Sequence, residues 1–270
     1  MNEQRNSPIG VFDSGVGGLT VLRALERVLP GEDFIYFGDT ARLPYGSKSE
    51  QTILRYTFED ALFLLRKDAK FLVVACNSMS SVALPELQRY FRIPVVGVIE
   101  PAARAAVALS KGNGIGIIGT SATIRSNSYQ NAVEELCPGL RTAAVACPLF
   151  VPLAEEGWQD EEPCEDIAQR YLTPFLENPV DTLILGCTHY PLLRSVIQKV
   201  MGDDVTLVDS ADATATRVKE VLVATDLLRP QTVRGATKFY LSDFQDHFQE
   251  IAERILEREL SEVEITSAGL

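Results

Sequence analysis

Two short stretches of the chain resemble each other and decide the fold: FLVVACNSMSSVALPEL at residues 71–87 and DTLILGCTHYPLLRSV at residues 181–196. In each stretch a cysteine follows a short apolar run, and these two cysteines, Cys76 and Cys187, are 111 positions apart. An apolar run of this kind predicts a buried parallel strand, and α/β sheets bind their ligands at the carboxyl ends of such strands. The sequence therefore predicts two thiols in equivalent positions that face one ligand from opposite sides.

The rest of the chain repeats in the same order and at nearly constant spacing, as a duplicated βα unit would. PIGVFDSG at 8–15 is answered by GIGIIGTS at 114–121, and the run at 95–105 is answered by that at 205–215. Because the strand-like runs are continuously apolar, we expect parallel strands covered by helices on both faces. The predicted fold is α/β, with two pseudo-symmetric parallel-sheet domains and the active site in the cleft between them.

The C-terminal tail adds one more strand-like run, KFYLS at 238–242, and then a helical pattern. The apolar face of that predicted helix comprises Phe244, Phe248, Ile251 and Ile255. Since the tail follows the second repeat, we expect it to return to the first domain. The predicted domains are then residues 1–98 plus 208–270, which form a discontinuous first domain, and residues 99–207, which form the second.

Composition restricts the class of protein. The chain of 270 residues is 46% hydrophobic and 23% charged, which is typical of a globular enzyme, and its formal net charge is -12. An acidic chain disfavours nucleic acid as a partner, because phosphate binding needs clustered Lys and Arg. No apolar run is long enough to span a membrane or to act as a signal peptide, so we expect a cytoplasmic protein with free thiols.

The first predicted loop, VFDSGVGGLT at 11–20, is rich in glycine and leads into a helix. Its backbone N–H groups could approach an anion at the helix N-terminus. The alternative is a dinucleotide fingerprint, but a GxGxxG motif would need glycine where Thr20 stands. The equivalent loop of the second half, GTSATIRS at 119–126, shares only hydroxyl and amide groups with it.

Neutral hydrogen-bond donors follow several of the predicted strands and could together hold small carboxylates. This predicted ring of donors comprises Ser14, Asn77, Ser78, Thr120, Thr123 and Thr188. The alternative for each of them is an ordinary helix N-cap, a position that Ser, Thr and Asn favour for backbone reasons alone.

Cys76 and Cys187 differ in context from the other three cysteines, which we interpret as core packing. Each precedes a predicted helix, whose positive end would lower the pKa of the thiol. Asp13 could approach Cys76, while His189 and a carboxylate of the loop at 151–157 could approach Cys187. Two acid/base groups on opposite walls of a cleft, with no metal-ligand or nucleotide motif, favour inversion of a carbon stereocentre.

At this level of detail the chain resembles the bacterial glutamate racemases. The resemblance is carried, in order along the chain, by IGVFDSGVGGLTV, YFGDTARLPYG, VVACNS, GVIEP, IGIIGTSATIRS, ACPLFVPLAEEGW, LILGCTHYPLL and VDSADATA, from residue 8 to about residue 217. It implies interconversion of L- and D-glutamate with no cofactor and no metal, which supplies D-glutamate for peptidoglycan. It also implies a possible homodimer.

The same resemblance implies the roles of individual residues. Cys76 would act on the D-glutamate face with help from Asp13, and Cys187 on the L-glutamate face with help from Glu155 and His189. The adjacent Glu156 leaves the choice of carboxylate open. The implied substrate contacts are Asp13, Ser14, Tyr45, Gly46, Asn77, Ser78, Thr120, Thr123, Thr188 and His189.

The chain departs from the family pattern at Met79, which adds bulk after the first cysteine, and at Leu43, where cysteine is frequent. Both changes concern the fit of the substrate. Two alternatives also remain at this point. A relative could act on aspartate, a hydantoin or a malonate, and a small-molecule sensor could use the same ring of donors without any catalysis by the thiols.

Overall fold

The computed structural model describes residues 3–230, 232–244, 247–260 and 262–266. Its strands are β1 (Ile9–Asp13), β2 (Phe34–Gly38), β3 (Phe71–Val74), β4 (Val95–Gly97), β5 (Ile115–Gly119), β6 (Thr142–Ala146), β7 (Thr182–Gly186), β8 (Thr206–Asp209), β9 (Thr237–Leu241) and β10 (Val263–Ile265). Its α-helices are α1 (Leu19–Val28), α2 (Glu50–Arg66), α3 (Asn77–Tyr90), α4 (Ile99–Leu109), α5 (Ser121–Arg125), α6 (Ser128–Leu136), α7 (Phe150–Glu155), α8 (Glu162–Glu177), α9 (Arg194–Met201), α10 (Ser210–Ala224) and α11 (Phe248–Leu256).

The strands form two parallel sheets, and the four strands of the second sheet follow the same order as the last four of the first. The first sheet runs β10-β9-β2-β1-β3-β4, and the second runs β6-β5-β7-β8. Ile9 pairs with Phe34 and Phe71 in the first sheet, just as Ile115 pairs with Thr142 and Thr182 in the second. The predicted fold class, two pseudo-symmetric parallel-sheet α/β units, is therefore confirmed, and β3 and β7 are equivalent strands that lead to Cys76 and Cys187.

Each sheet has apolar clusters on both of its faces, as continuous apolar strands require. In the first sheet, the paired residues Val11 and Val73 belong to one cluster, and the next pair, Phe12 and Val74, belongs to the other. All residues of β1, β3, β5 and β7 are buried. At roughly 25 cal/mol per Å2 of apolar surface removed from water, this burial is the main favourable contribution to folding.

The tail returns to the first sheet, where β9 pairs with β2 and β10 pairs with β9. The predicted strand is confirmed, but the predicted helical face is wrong at Phe244, which precedes α11 and is 64% exposed. The reason is local: Asp243 exchanges hydrogen bonds with the Thr40 hydroxyl, which holds the chain as a loop after β9. Phe248, Ile251 and Ile255 are buried.

The predicted domain boundaries stay a prediction. The one between residues 98 and 99 falls at the start of α4, and the one between residues 207 and 208 falls inside β8. Among the described residues, no helix is both long enough and apolar enough to cross a membrane.

Candidate active site

A cavity of about 470 Å3 opens at the carboxyl ends of the strands of both sheets. It is lined by Ser14, Leu43, Pro44, Tyr45, Gly46, Ser47, Cys76, Asn77, Ser78, Thr120, Ser121, Pro148, Val151, Pro152, Glu155, Cys187, Thr188 and His189. Both thiols line this one cavity, although Cys76 and Cys187 are only 5% and 6% exposed. The equivalent ends of β3 and β7 thus bring together the two thiols that the repeat pairs in the sequence.

The first wall is built around Cys76, which is the N-cap residue of α3. Its thiol donates to the Ser14 hydroxyl at 3.6 Å, and the backbone N–H of Met79 interacts with the sulfur. Burial raises the pKa of Cys76, and the nearby Asp13 carboxylate raises it further. The expectation that the helix end lowers this pKa is therefore wrong, because loss of water around the thiolate outweighs the helix dipole. A raised pKa favours the neutral thiol form of Cys76.

Asp13 ends β1 and lies behind Cys76, fully buried. Its Oδ2 accepts the Gly15 N–H at 3.0 Å, while Oδ1 has no partner among the described residues. Burial raises the pKa of this carboxyl, against the opposing effects of His189 and of the backbone N–H groups of Gly15 and Gly18. Asp13 does not line the cavity, but it interacts with the Cys76 thiol, which does.

The second wall carries a chain of three groups. Cys187 Sγ lies 3.8 Å from His189 Nδ1, and His189 Nε2 lies 2.9 Å from Glu155 Oε1. Glu155 ends α7, and it is this residue rather than the exposed Glu156 that reaches the imidazole. After Cys187 the chain enters a short 3-10 turn, Tyr190–Leu193, before α9, so the predicted α-helix does not follow this thiol directly.

Contacts with Cys187 and Glu155 favour the protonated form of His189. Burial lowers the pKa of His189, but hydrogen bonds and charge interactions with Cys187 and Glu155 outweigh it and raise the pKa to about 10. The two walls thus differ in charge: a carboxyl group stands behind Cys76, and an imidazolium stands beside Cys187.

This difference predicts a measurable pH dependence. Because the pKa of His189 rises from 6.5 in the unfolded chain to about 10 in the folded one, its contribution to stability is complete below 6.5 and lost as pH rises through 10. NMR titration of the His189 imidazole should therefore show a midpoint near 10. Glu155→Gln should lower that midpoint and Glu156→Gln should leave it in place; equal effects of the two variants would contradict the assignment.

The neutral donors divide into those that line the cavity and one that lies behind it. Ser78 Oγ and Thr120 Oγ1 are 2.9 Å apart, so a first-sheet hydroxyl meets a second-sheet hydroxyl. Thr120 also caps α5, and Thr123 is hydrogen-bonded to Thr120 outside the cavity lining. The N-cap interpretation and the donor interpretation therefore both describe Thr120.

Tyr45 and Gly46 reach the cavity on the loop that follows β2. The Tyr45 hydroxyl donates to Asp39, so it is already committed to a buried carboxyl group. The Gly46 carbonyl accepts the N–H of Ala122 at 2.9 Å, and a Cβ on Gly46 would lie 2.8 Å from Thr120 Cβ. Glycine is needed here because the two halves of the site approach each other at the backbone level.

The glycine-rich loop before α1 serves close packing in this structure. A Cβ on Gly17 would lie 2.4 Å from Thr188 Oγ1, and a Cβ on Gly18 would lie 2.4 Å from Asp13 Cβ. The anion-cradle interpretation missed this, because the neighbours of the loop come from a distant part of the chain. Among the described residues, no group of three or more His, Cys, Asp or Glu side chains could hold a metal ion.

Known proteins share the sequence pattern of this site. The model of the family described as Asp/Glu/Hydantoin racemase matches residues 9–218. The chain belongs to this racemase family. The predicted resemblance is thus confirmed, and membership of an enzyme family favours catalysis over the sensor alternative.

Within the family, the similar proteins are named glutamate racemases. A curated glutamate racemase of Geobacter metallireducens is 52% identical, with 94% of each chain covered. The crystal structure of a glutamate racemase from Bacillus anthracis has a TM-score of 0.93 and 41% identity over 97% of this chain and 98% of that one. One from Francisella tularensis, in complex with D-glutamate, has a TM-score of 0.92 and 38% identity over 98% of each chain.

The two departures from the family pattern lie in different surroundings in this racemase. Leu43 lines the cavity and packs over Gly15, so it does affect the space available to a ligand. Met79 is fully buried in the apolar cluster behind α3 and does not line the cavity, so the expected bulk beside the site is absent. The apolar wall of Pro148, Val151 and Pro152 follows β6. It lies in a stretch that carries the family resemblance, but only a carboxylate of that stretch was predicted to reach the site.

Proposed function

We propose that the protein interconverts L- and D-glutamate by proton transfer at the α-carbon, with Cys76 and Cys187 as the two acid/base groups. One observation carries the proposal: two thiols at equivalent strand ends share one cavity, and each has its own proton partner. Removal of a proton on one face and delivery on the other inverts the carbon. The glutamate racemase names of the relatives, and the D-glutamate of the Francisella tularensis complex, support the choice of substrate.

On the D-glutamate face, Cys76 must become a thiolate before it removes the α-proton. Its raised pKa means that burial opposes this step, and Asp13, an acceptor whose own pKa is raised, is the group placed to take the thiol proton. The Cys76 thiolate then takes the α-hydrogen, and the Cys187 thiol delivers a proton to the opposite face. The product is L-glutamate, with the thiol proton of Cys187 consumed and that of Cys76 restored.

On the L-glutamate face the steps run in the opposite direction. Cys187 removes the α-hydrogen, the Cys76 thiol delivers its proton, and D-glutamate results. His189, held protonated by Glu155, stabilises negative charge on the Cys187 sulfur before the transfer. We therefore assign Asp13 to Cys76, and His189 with Glu155 to Cys187, as positioning and proton-holding partners.

The cavity offers neutral donors for the carboxylates of the substrate. Ser14, Asn77, Ser78, Thr120 and Thr188 line it, and they surround the two thiols from both sheets. Hydrogen bonds from neutral groups to a carboxylate are charge-assisted and hold it without the need for an Arg or Lys. The proposal includes cofactor-independent turnover, D-glutamate supply for peptidoglycan and a homodimer, which rest on the family resemblance alone. It also includes the cytoplasmic location that the sequence pattern predicts.

The test is direct. Pure protein with no added cofactor should abolish the circular dichroism of L-glutamate and of D-glutamate alike, and should incorporate solvent deuterium at the α-carbon. L- and D-aspartate, measured in parallel, should be turned over about 10- to 200-fold less efficiently, since one methylene in the binding site is worth about 1–3 kcal/mol. Preferential turnover of aspartate, or retention of both signals with glutamate, would overturn the proposal.

A further inference from the structure

Asn77 presents an unusual side chain to the cavity. It is the first residue of α3, directly after Cys76, and it is 2% exposed. Its Oδ1 accepts a hydrogen bond of 2.7 Å, but its Nδ2 has no partner among the residues that the structure describes. A buried amide donor left without a partner costs on the order of 1–3 kcal/mol, a cost that a hydrogen bond to a bound ligand would offset.

The donor to Asn77 Oδ1 is the hydroxyl of Tyr129, which comes from the other half of the molecule. Tyr129 lies on α6, is fully buried in the apolar cluster under the second sheet, and packs against Gly186, where a Cβ would lie 3.0 Å from its Cε2. Gly186 directly precedes Cys187. The Tyr129 ring therefore lies beneath Cys187, while its hydroxyl donates to Asn77, the residue that follows Cys76.

We propose that Tyr129 is a positioning residue, which fixes the Asn77 amide with its NH2 group toward the cavity, where it donates to a carboxylate of the substrate. This inference rests on the proposed glutamate racemisation and names a specificity element of the same site. The amide could otherwise rotate by 180° and present its oxygen, which would repel a carboxylate.

The chemistry of Tyr129 supports a donor role. Burial raises the pKa of Tyr129, and the neighbouring Cys187 and Asp209 raise it further, so the protonated hydroxyl is favoured. A phenol that keeps its proton satisfies an acceptor, and Asn77 Oδ1 is the acceptor that it reaches. Both Nδ2 hydrogens of Asn77 then lie on the side of the amide that faces away from Tyr129.

The test removes one oxygen atom. In Tyr129→Phe the ring still fills the core, but the amide is free to rotate, and we expect KM for both enantiomers to rise about tenfold with kcat changed less than about threefold. Tyr171→Phe is the control, because it removes a second-domain hydroxyl that bonds Leu149 N–H and does not reach Asn77. Its KM should be unchanged. A Tyr129→Phe enzyme with normal KM would overturn the inference.

A double variant separates positioning from a general structural effect. If Tyr129 acts through Asn77, Tyr129→Phe should add nothing to the KM of Asn77→Ala, whereas independent effects would multiply. As a second measurement, the side-chain NH2 signals of Asn77 in 15N-labelled protein should shift on addition of D-glutamate, and this shift should vanish in Tyr129→Phe. A wild-type protein without racemase activity would overturn the proposed function itself. Normal wild-type activity, with KM effects of the two substitutions that multiply in the double variant, would overturn only the role of Tyr129.

Discussion

Replacement of either Cys76 or Cys187 by serine should lower glutamate racemisation by about 10³–10⁴-fold, in line with the loss of one proton-transfer group. Serine keeps the size and the hydrogen-bonding capacity of the side chain, but its hydroxyl is far too weak an acid to alternate between the two proton states. Both residues lie at the cavity and not in the centre of a core, so the fold should survive.

The two variants should also differ in a characteristic way. Cys76→Ser retains Cys187, which can remove and return the α-hydrogen of L-glutamate, so this variant should exchange that hydrogen with deuterated water without racemisation. Cys187→Ser should do the same with D-glutamate only. Mass spectrometry of recovered glutamate, separated by enantiomer, measures both.

Cys147→Ser is the matched control for these variants. Cys147 is fully buried, its thiol donates to the Val145 carbonyl at 3.7 Å, and it does not line the cavity. Its replacement should leave turnover per folded molecule unchanged. Near-normal racemisation by either Cys76→Ser or Cys187→Ser, or loss of exchange with both enantiomers in each, would refute the assignment of one thiol to each face.

The two equivalent parallel sheets and the pairing of the thiols could be predicted from sequence because both depend on repetition along the chain. Apolar runs ending at Cys76 and Cys187 occur at equivalent points of the two repeats, and equivalent strands of duplicated units end at equivalent places. Membership of the family added the remaining candidates. None of this required knowledge of which side chains meet across the cleft.

What could not be predicted depends on three-dimensional neighbours. The sign of the Cys76 pKa shift follows from near-complete burial next to Asp13, which outweighs the effect of a helix end that the sequence does show. The hydrogen bond from Tyr129 to Asn77 joins residues 52 positions apart that share no motif. Gly17 packs against Thr188 and His189 for the same reason, although its loop resembles an anion cradle.

A second large effect concerns stability at the opposite end of the first sheet. Lys70 directly precedes β3, and its Nζ lies 2.6 Å from Glu32 Oε2 with both side chains fully buried. The ammonium also donates to the Arg5 carbonyl at 2.5 Å, while Glu32 Oε1 accepts the Arg229 N–H at 2.7 Å. Burial lowers the pKa of Lys70, and the Glu32 carboxylate opposes that shift.

Lys70→Met should therefore lower the free energy of unfolding by about 3–5 kcal/mol, because it leaves the Glu32 carboxylate buried without its countercharge. Adding Glu32→Gln should recover part of this loss, since the orphaned charge is then gone while a side-chain oxygen still reaches Arg229 N–H. Arg104→Ala, which breaks an exposed pair with Glu100, should cost less than about 1 kcal/mol. Urea unfolding at neutral pH measures all three.

Turnover per folded molecule should be unchanged in Lys70→Met, because the whole of β3 separates this ion pair from Cys76. Loss of kcat in the folded variant would mean that the pair supports the site as well as the sheet. A loss of stability below about 1 kcal/mol would mean that water reaches Glu32 once Lys70 is removed. The expected combination, a large loss of stability with intact catalysis, follows from a parallel sheet whose carboxyl edge carries the chemistry and whose amino edge holds the tail in place.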